Sequence, residues 1–129
     1  MASYDSVRFA PAAPVALVDL RNLNRSAVVT GVPMLLDTGA DVTIVPRSAV
    51  ERLGLSLAGA ATYELLSFDG KSSGVPALHL ELVLAGRSFR GQFLVLENDV
   101  GIAGRNVLNL LEVRYDGPRL TWTVDGAAR

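Results

Sequence analysis

The stretch "MLLDTGADVTIVP", Met34 to Pro46, drives an apolar run straight into an acidic residue and then turns around it. A carboxylate brought into apolar surroundings is costly unless something pairs with it or uses it. Asp37 follows a strand-like run, Val32 to Leu36, and precedes a tight turn at Gly39. Its carboxylate therefore stands at a strand end, beside a hydroxyl from Thr38 and an N–H from Gly39. Donors of that kind keep a carboxylate ionised or let it share a proton. Asp-Thr-Gly by itself is a tripeptide that an ordinary surface turn also supplies, so the residues around it carry the reading.

Outward from this loop the chain reads as short strands. Ala13 to Leu20, "APVALVDL", alternates and is rich in branched residues, and Asn22, Asn24 and Ser26 then form a turn. Ala27 to Leu36 is a second strand pair or one bent strand, interrupted at Gly31-Val32-Pro33. Thr62 to Phe68 and Val75 to Leu84 flank a Gly/Ser-rich tip at Asp69 to Gly74, the pattern of a hairpin. Ala85-Gly86 is a tight turn into Ser88 to Glu97. Near the C-terminus, Asp116-Gly117-Pro118 is a turn leading to a strand with Leu120, Trp122 and Val124 on one face.

Two short helices interrupt the strands. "PRSAVERLG" offers Pro46 as a first-turn residue, Ser48 and Glu51 as a capping box, and Gly54 as a C-terminal stop. Arg105 to Val113 carries Val107, Leu108, Leu110 and Leu111 on a broad apolar face. Many short strands with two short helices predict an all-β fold, a small closed barrel.

The bulk numbers suit such a domain. The chain has 129 residues, half of them apolar, enough for one domain with its own core. The expected layout is an exposed lead-in over residues 1–13, a single domain over 14–125 and a tail over 126–129. There is no cysteine, which excludes disulfides, thiol nucleophiles and cysteine-based zinc sites. Net charge is −1 with basic residues scattered, so no nucleic-acid partner is expected. No apolar run reaches the length of a membrane span, and no signal peptide is read at the N-terminus, so the expected compartment is the cytoplasm. No cofactor is expected, and Asp69 belongs to no metal-binding loop spacing. His79, the one histidine, reads as a strand residue, and Trp122 as a core or interface anchor.

Three features in order make the chain resemble the retropepsin-like aspartic proteases, the retroviral proteases and their cellular and bacterial relatives. They are "MLLDTGADVTIVP", the hairpin tip from Phe68 to Gly74, and "GIAGRNVLN", Gly101 to Asn109. The resemblance covers roughly Val15 to Leu111, and "VPRSAVERLGL" is closer in style to cellular and bacterial members. It implies a barrel with one flap, no cofactor, and Asp37 as the catalytic aspartate, with Thr38 interlocking with its copy in a second subunit and Gly39 offering its carbonyl to substrate. It implies substrate contacts from Ala40, Asp41, Val42, Phe68, Asp69 and Gly70, and structural support from Gly104, Arg105 and Asn106, with Asp41 pairing to Arg105. The position of Arg105, after a glycine at the start of an apolar helix, also favours a carboxylate partner.

The chain has one Asp-Thr-Gly loop, and the family's mechanism needs two carboxylates sharing a proton. The resemblance therefore implies a homodimer with the two Asp37 residues meeting on its axis, acting on an extended peptide. Apolar pockets are expected around Val42, Ile44, Phe68 and Val75. The dimer sheet is expected from either the C-terminal hairpin or the N-terminal segment. Three departures stand out: a polar flap tip (Lys71, Ser72, Ser73), Ala103 where a bulky aliphatic is usual, and Val42 rather than a second acid after Asp41. They leave room for a second reading, a non-catalytic dimerisation or peptide-binding module. A third is an excised domain that cleaves its own precursor.

Overall fold

The computed structural model describes residues 1–66 and 69–125. Strand β1 is Ala2–Ser3, β2 is Val15–Arg21 and β3 is Val28–Leu36. Along β2, Val18 and Leu20 point inward and are fully buried while Leu17 faces out, the period-two pattern of a strand with one covered face. The turn between β2 and β3 is held by its own side chains: Asn22 Oδ1 accepts from the Ala27 N–H, and Asn24 Oδ1 from the Ser26 N–H. β3 is one bent strand. Its register against β2 slips between Val18 and Leu20, where Gly31 takes a φ of 68°. An extra residue there needs the left-handed backbone that glycine adopts without strain.

Next come β4 (Ile44–Pro46) and helix α1 (Arg47–Arg52). The expected capping box does not form. The helix starts at Arg47 with Pro46 as its extended N-cap residue, so Ser48 falls inside the first turn and caps nothing. Glu51 instead pairs with Arg47, one turn away, at 3.1 Å. The C-terminal stop is as expected. Gly54 at φ 76° donates to the Glu51 carbonyl, and Leu55 donates to that of Val50.

β5 (Ala61–Leu66) and β6 (Ser72–Leu84) form the flap hairpin, with Leu66 opposite Ser72. The strands run further toward the tip than the Gly/Ser run suggests, and Ser72 to Gly74 are paired. A two-residue turn at Ala85-Gly86, with φ of 50° and 78°, leads into β7 (Arg87–Leu96). Both angles are positive, the geometry that matches the twist of a tight hairpin.

β8 (Gly101–Ala103) runs parallel to β3, and helix α2 (Arg105–Leu108) follows it. The predicted helix from Arg105 to Val113 is cut to one turn. The chain tightens through i to i+3 bonds at Leu110 and Leu111, and Val113 is taken by β9 (Val113–Asp116), which pairs with β10 (Thr121–Val124). Leu110 is left 61% exposed, so the expected apolar face is only partly used.

The sheet order is β2-β3-β8-β4-β7-β6, and β2 pairs again with β6, so the strands close into a barrel with β5 hanging from β6. Met34, Leu20, Leu80 and Leu82 fill its interior, all fully buried. Each such side chain contributes roughly 1.5–3 kcal/mol of transfer free energy.

The expected exposed lead-in, residues 1–13, makes backbone bonds to the rest of the chain. β1 pairs with β10, the Tyr4 N–H donates to the Leu120 carbonyl at 2.8 Å, and Asp5 bridges Ala13. The exposed edge of β10 supplies these backbone partners. Trp122 and Val124 pack into the chain's own core. Leu120 does not share their strand. It lies in the turn at φ 52° and is 46% exposed.

Candidate active site

Asp37 begins where β3 stops. Its N–H still donates to the Ala103 carbonyl of β8 at 3.1 Å, so the end of the sheet fixes its backbone. Its carbonyl then accepts from the Ala40 N–H at 3.2 Å, closing a turn. Its Oδ1 accepts from the Gly39 N–H at 2.9 Å, the short side-chain loop for which Asp is suited. Oδ2 has no partner among the described residues. The carboxylate is half-buried, whereas Thr38 and Gly39 are exposed. A Cβ on Gly39 would lie 3.1 Å from Asp37 Oδ1, a contact that would crowd the carboxylate.

The loop is bolted to the β8–α2 junction. The Arg105 N–H donates to the Ala40 carbonyl at 2.8 Å, and Arg105 Nη1 to the Thr38 carbonyl at 2.7 Å. Gly104 is dictated by contact: a Cβ there would sit 2.1 Å from the Val42 carbonyl oxygen. Its N–H donates to Thr43 Oγ1 at 3.0 Å, and Thr43 Oγ1–H donates to Asn106 Oδ1 at 2.6 Å. Thr43 is 1% exposed, so its hydroxyl both accepts and donates within the wall. Sequence reading placed Thr43 in the motif without giving it this role. The signal was a lone hydroxyl in an apolar run, a residue that must find partners if buried.

The expected Asp41–Arg105 ion pair does not form. Asp41 is exposed and makes no ion pair among the described residues, while the Arg105 guanidinium is engaged by the Thr38 carbonyl. A carbonyl on the adjoining loop satisfies the cation without taking Asp41 out of water.

Val42 leaves the loop into a second apolar cluster, with Ile44, Val75, Ala77 and Leu94 around it. Leu65 of the flap packs on the same cluster, which therefore joins the Asp37 loop to the base of the flap. Of the pocket residues read from sequence, Val42, Ile44 and Val75 meet here, and Phe68 lies outside the described residues. Asp69 and Gly70 stand exposed at the flap turn, where Gly70 takes φ 80° and Asp69 Oδ1 accepts from the Lys71 N–H. Ala40 is half-buried behind the loop, and Ala103 is fully buried beneath it. No cluster of His, Cys, Asp or Glu among the described residues is arranged to hold a metal ion.

A closed barrel with one flap and an Asp-Thr-Gly loop locked by a glycine-headed helical turn defines the retropepsin type of aspartic protease. The profile of the aspartyl protease family matches residues 26–110, about two thirds of the chain, and the protein belongs to that family. Solved structures agree on the fold. A retropepsin-like aspartic protease from Rickettsia conorii is 17% identical with a TM-score of 0.61, covering 89% of this chain and 82% of its own. The EIAV protease in complex with the inhibitor HBY-793 is 23% identical with a TM-score of 0.52, covering 81% of this chain and 90% of its own. No curated protein matches the chain at a significant level.

Proposed function

We propose that two copies of this chain form an aspartic endopeptidase whose catalytic dyad is Asp37 from each subunit. One observation carries the reading. Each chain supplies one Asp-Thr-Gly loop, held on its own barrel side, with one carboxylate oxygen tied to Gly39 and the other without a partner among the described residues. A second identical loop across a two-fold axis provides the missing carboxylate. Thr38, exposed on the same loop, faces its copy beneath the dyad.

Two carboxylates a few ångströms apart do not both ionise, so the pair holds one proton; aspartic proteases are the standard illustration of this. The ionised member takes a proton from a bound water, whose oxygen attacks the scissile carbonyl carbon. The protonated member donates to the carbonyl oxygen. In the collapse step the C–N bond breaks, the leaving nitrogen takes the proton that the first carboxyl drew from water, and the carbonyl re-forms as a hydroxyl proton returns to the other carboxylate, so the dyad again holds one proton. An extended peptide lies between loop and flap, pinned by main-chain bonds including the Gly39 carbonyl and Asp41, with apolar side chains against Val42, Ile44 and Val75. The flap closes over it and excludes water.

Wild type and Asp37→Asn, compared on a peptide library from acidic to neutral pH with sedimentation in parallel, test this. Cleavage by wild type, none by the variant and dimers in both are the expected results. Cleavage surviving in Asp37→Asn ends the assignment. Peptide binding without cleavage by wild type under every condition favours a binding module instead.

A further inference from the structure

The outer face of the barrel carries a charge arrangement that the proteolytic reading leaves unused. Glu81 of β6 stands between Arg21 of β2 and Arg90 of β7, its cross-strand partners. The Glu81 side chain is 0% exposed. Arg25, presented by the β2–β3 turn, grips it with two bonds, Nε to Oε1 at 3.2 Å and Nη2 to Oε2 at 2.9 Å. Arg21 and Arg90 stand further away, each with a nitrogen 3.6 Å from a Glu81 oxygen, too long for a hydrogen bond. Arg90 also donates to the Leu23 carbonyl. One guanidinium is thus matched to the carboxylate, and two keep outward donors at 34% and 54% exposure. Asp19, two residues before Arg21, makes no ion pair among the described residues. Even counting it, three cations face two anions.

We propose that this face docks an acidic segment of a polypeptide. Guanidinium forks match carboxylates in geometry as well as charge. Arg21 and Arg90 are two strand spacings apart, roughly 10 Å, which suits carboxylates three residues apart on a polyproline-II-like segment, where every third side chain shares a face about 9 Å further along. Arg21 on β2 and Arg90 on β7 flank β6 on the outer face, so a segment laid across them engages both guanidinium groups, whereas a small free anion engages one. Docking of this kind is steered by charge and weakens with salt.

The test uses the Asp37→Asn protein, so that nothing is cut and the result is independent of the protease reading. A rhodamine-labelled peptide with Glu at every third position is titrated beside its Gln counterpart, at low and physiological salt. The Glu peptide should bind at least about tenfold more tightly, with the preference shrinking in salt. Arg21→Gln with Arg90→Gln should remove the preference while the Arg25–Glu81 pair keeps the fold, checked by circular dichroism. Should that variant unfold, Glu81→Gln is read instead and should tighten Glu-peptide binding, because it raises the positive surplus. Equal binding of the two peptides, an unchanged preference in the folded double variant, or no tightening in Glu81→Gln overturns the proposal. So does displacement by inorganic phosphate at concentrations no higher than those of the peptide, which would mark a small-anion site.

Discussion

At the residue scale, the proposed chemistry rests on how few groups Asp37 is allowed to meet. One oxygen is occupied by the Gly39 N–H, and its backbone is fixed by Ala103, so the remaining oxygen is aimed by the loop and not by a flexible side chain. Thr43 keeps that loop in place from behind. Thr43→Val retains the volume but leaves the Gly104 N–H and Asn106 without their partner, and should cost about 1–3 kcal/mol in chemical denaturation. Thr43→Ser, which keeps the hydroxyl, should recover most of that loss. A loss in Thr43→Ser with little in Thr43→Val would mean that packing of the methyl and not the hydroxyl matters. The Asp-Thr-Gly loop was legible from sequence because its residues are consecutive and their bonds are local. The Thr43–Asn106 bond was not, because it joins positions 63 residues apart that only the folded barrel brings together.

At the scale of elements, the junction between β8 and α2 is the part that glycine makes possible. Gly104→Ala would drive a methyl into the Val42 backbone, so the loop or the helix must move, and a destabilisation of about 1–3 kcal/mol is expected, with loss of peptide cleavage exceeding the loss of fold. Wild-type activity in that variant would show that the loop need not be held so closely. Strands were readable wherever burial alternates, as in β2, and turns wherever backbone chemistry is strict, as at Ala85-Gly86. The ends of elements were not. The length of α2 is decided by β10 capturing Val113, a tertiary event that helical periodicity does not contain. The pairing of β1 with β10 was unreadable for the same reason, since it comes from the edge of β10 and not from local sequence.

At the scale of the whole molecule, stability responds to acid through the Glu81 cluster. The Arg25 hydrogen bonds hold the Glu81 carboxyl below its usual range, and burial opposes them less strongly. A lowered folded-state value means that this stabilisation is present above the unfolded-state pKa and is lost as pH falls through the lower, folded value. Thermal unfolding from pH 6 downward should therefore show wild type losing its advantage over Glu81→Gln below about pH 4. A constant difference across that range would remove Glu81 from the acid response. None of this cluster was visible in sequence, where Arg21, Arg25, Glu81 and Arg90 look like scattered surface charges.

The proposed active site takes one Asp37 from each of two subunits, and subunit mixing distinguishes this from subunits that work alone. Wild type and Asp37→Asn are mixed in equal amounts under conditions that let dimers exchange, and peptide cleavage is measured at fixed total protein. If both carboxylates are required, only pairings of two wild-type subunits act, and activity falls to about a quarter of the all-wild-type value. A fall to about half, the proportion expected if every wild-type subunit works alone, would contradict it.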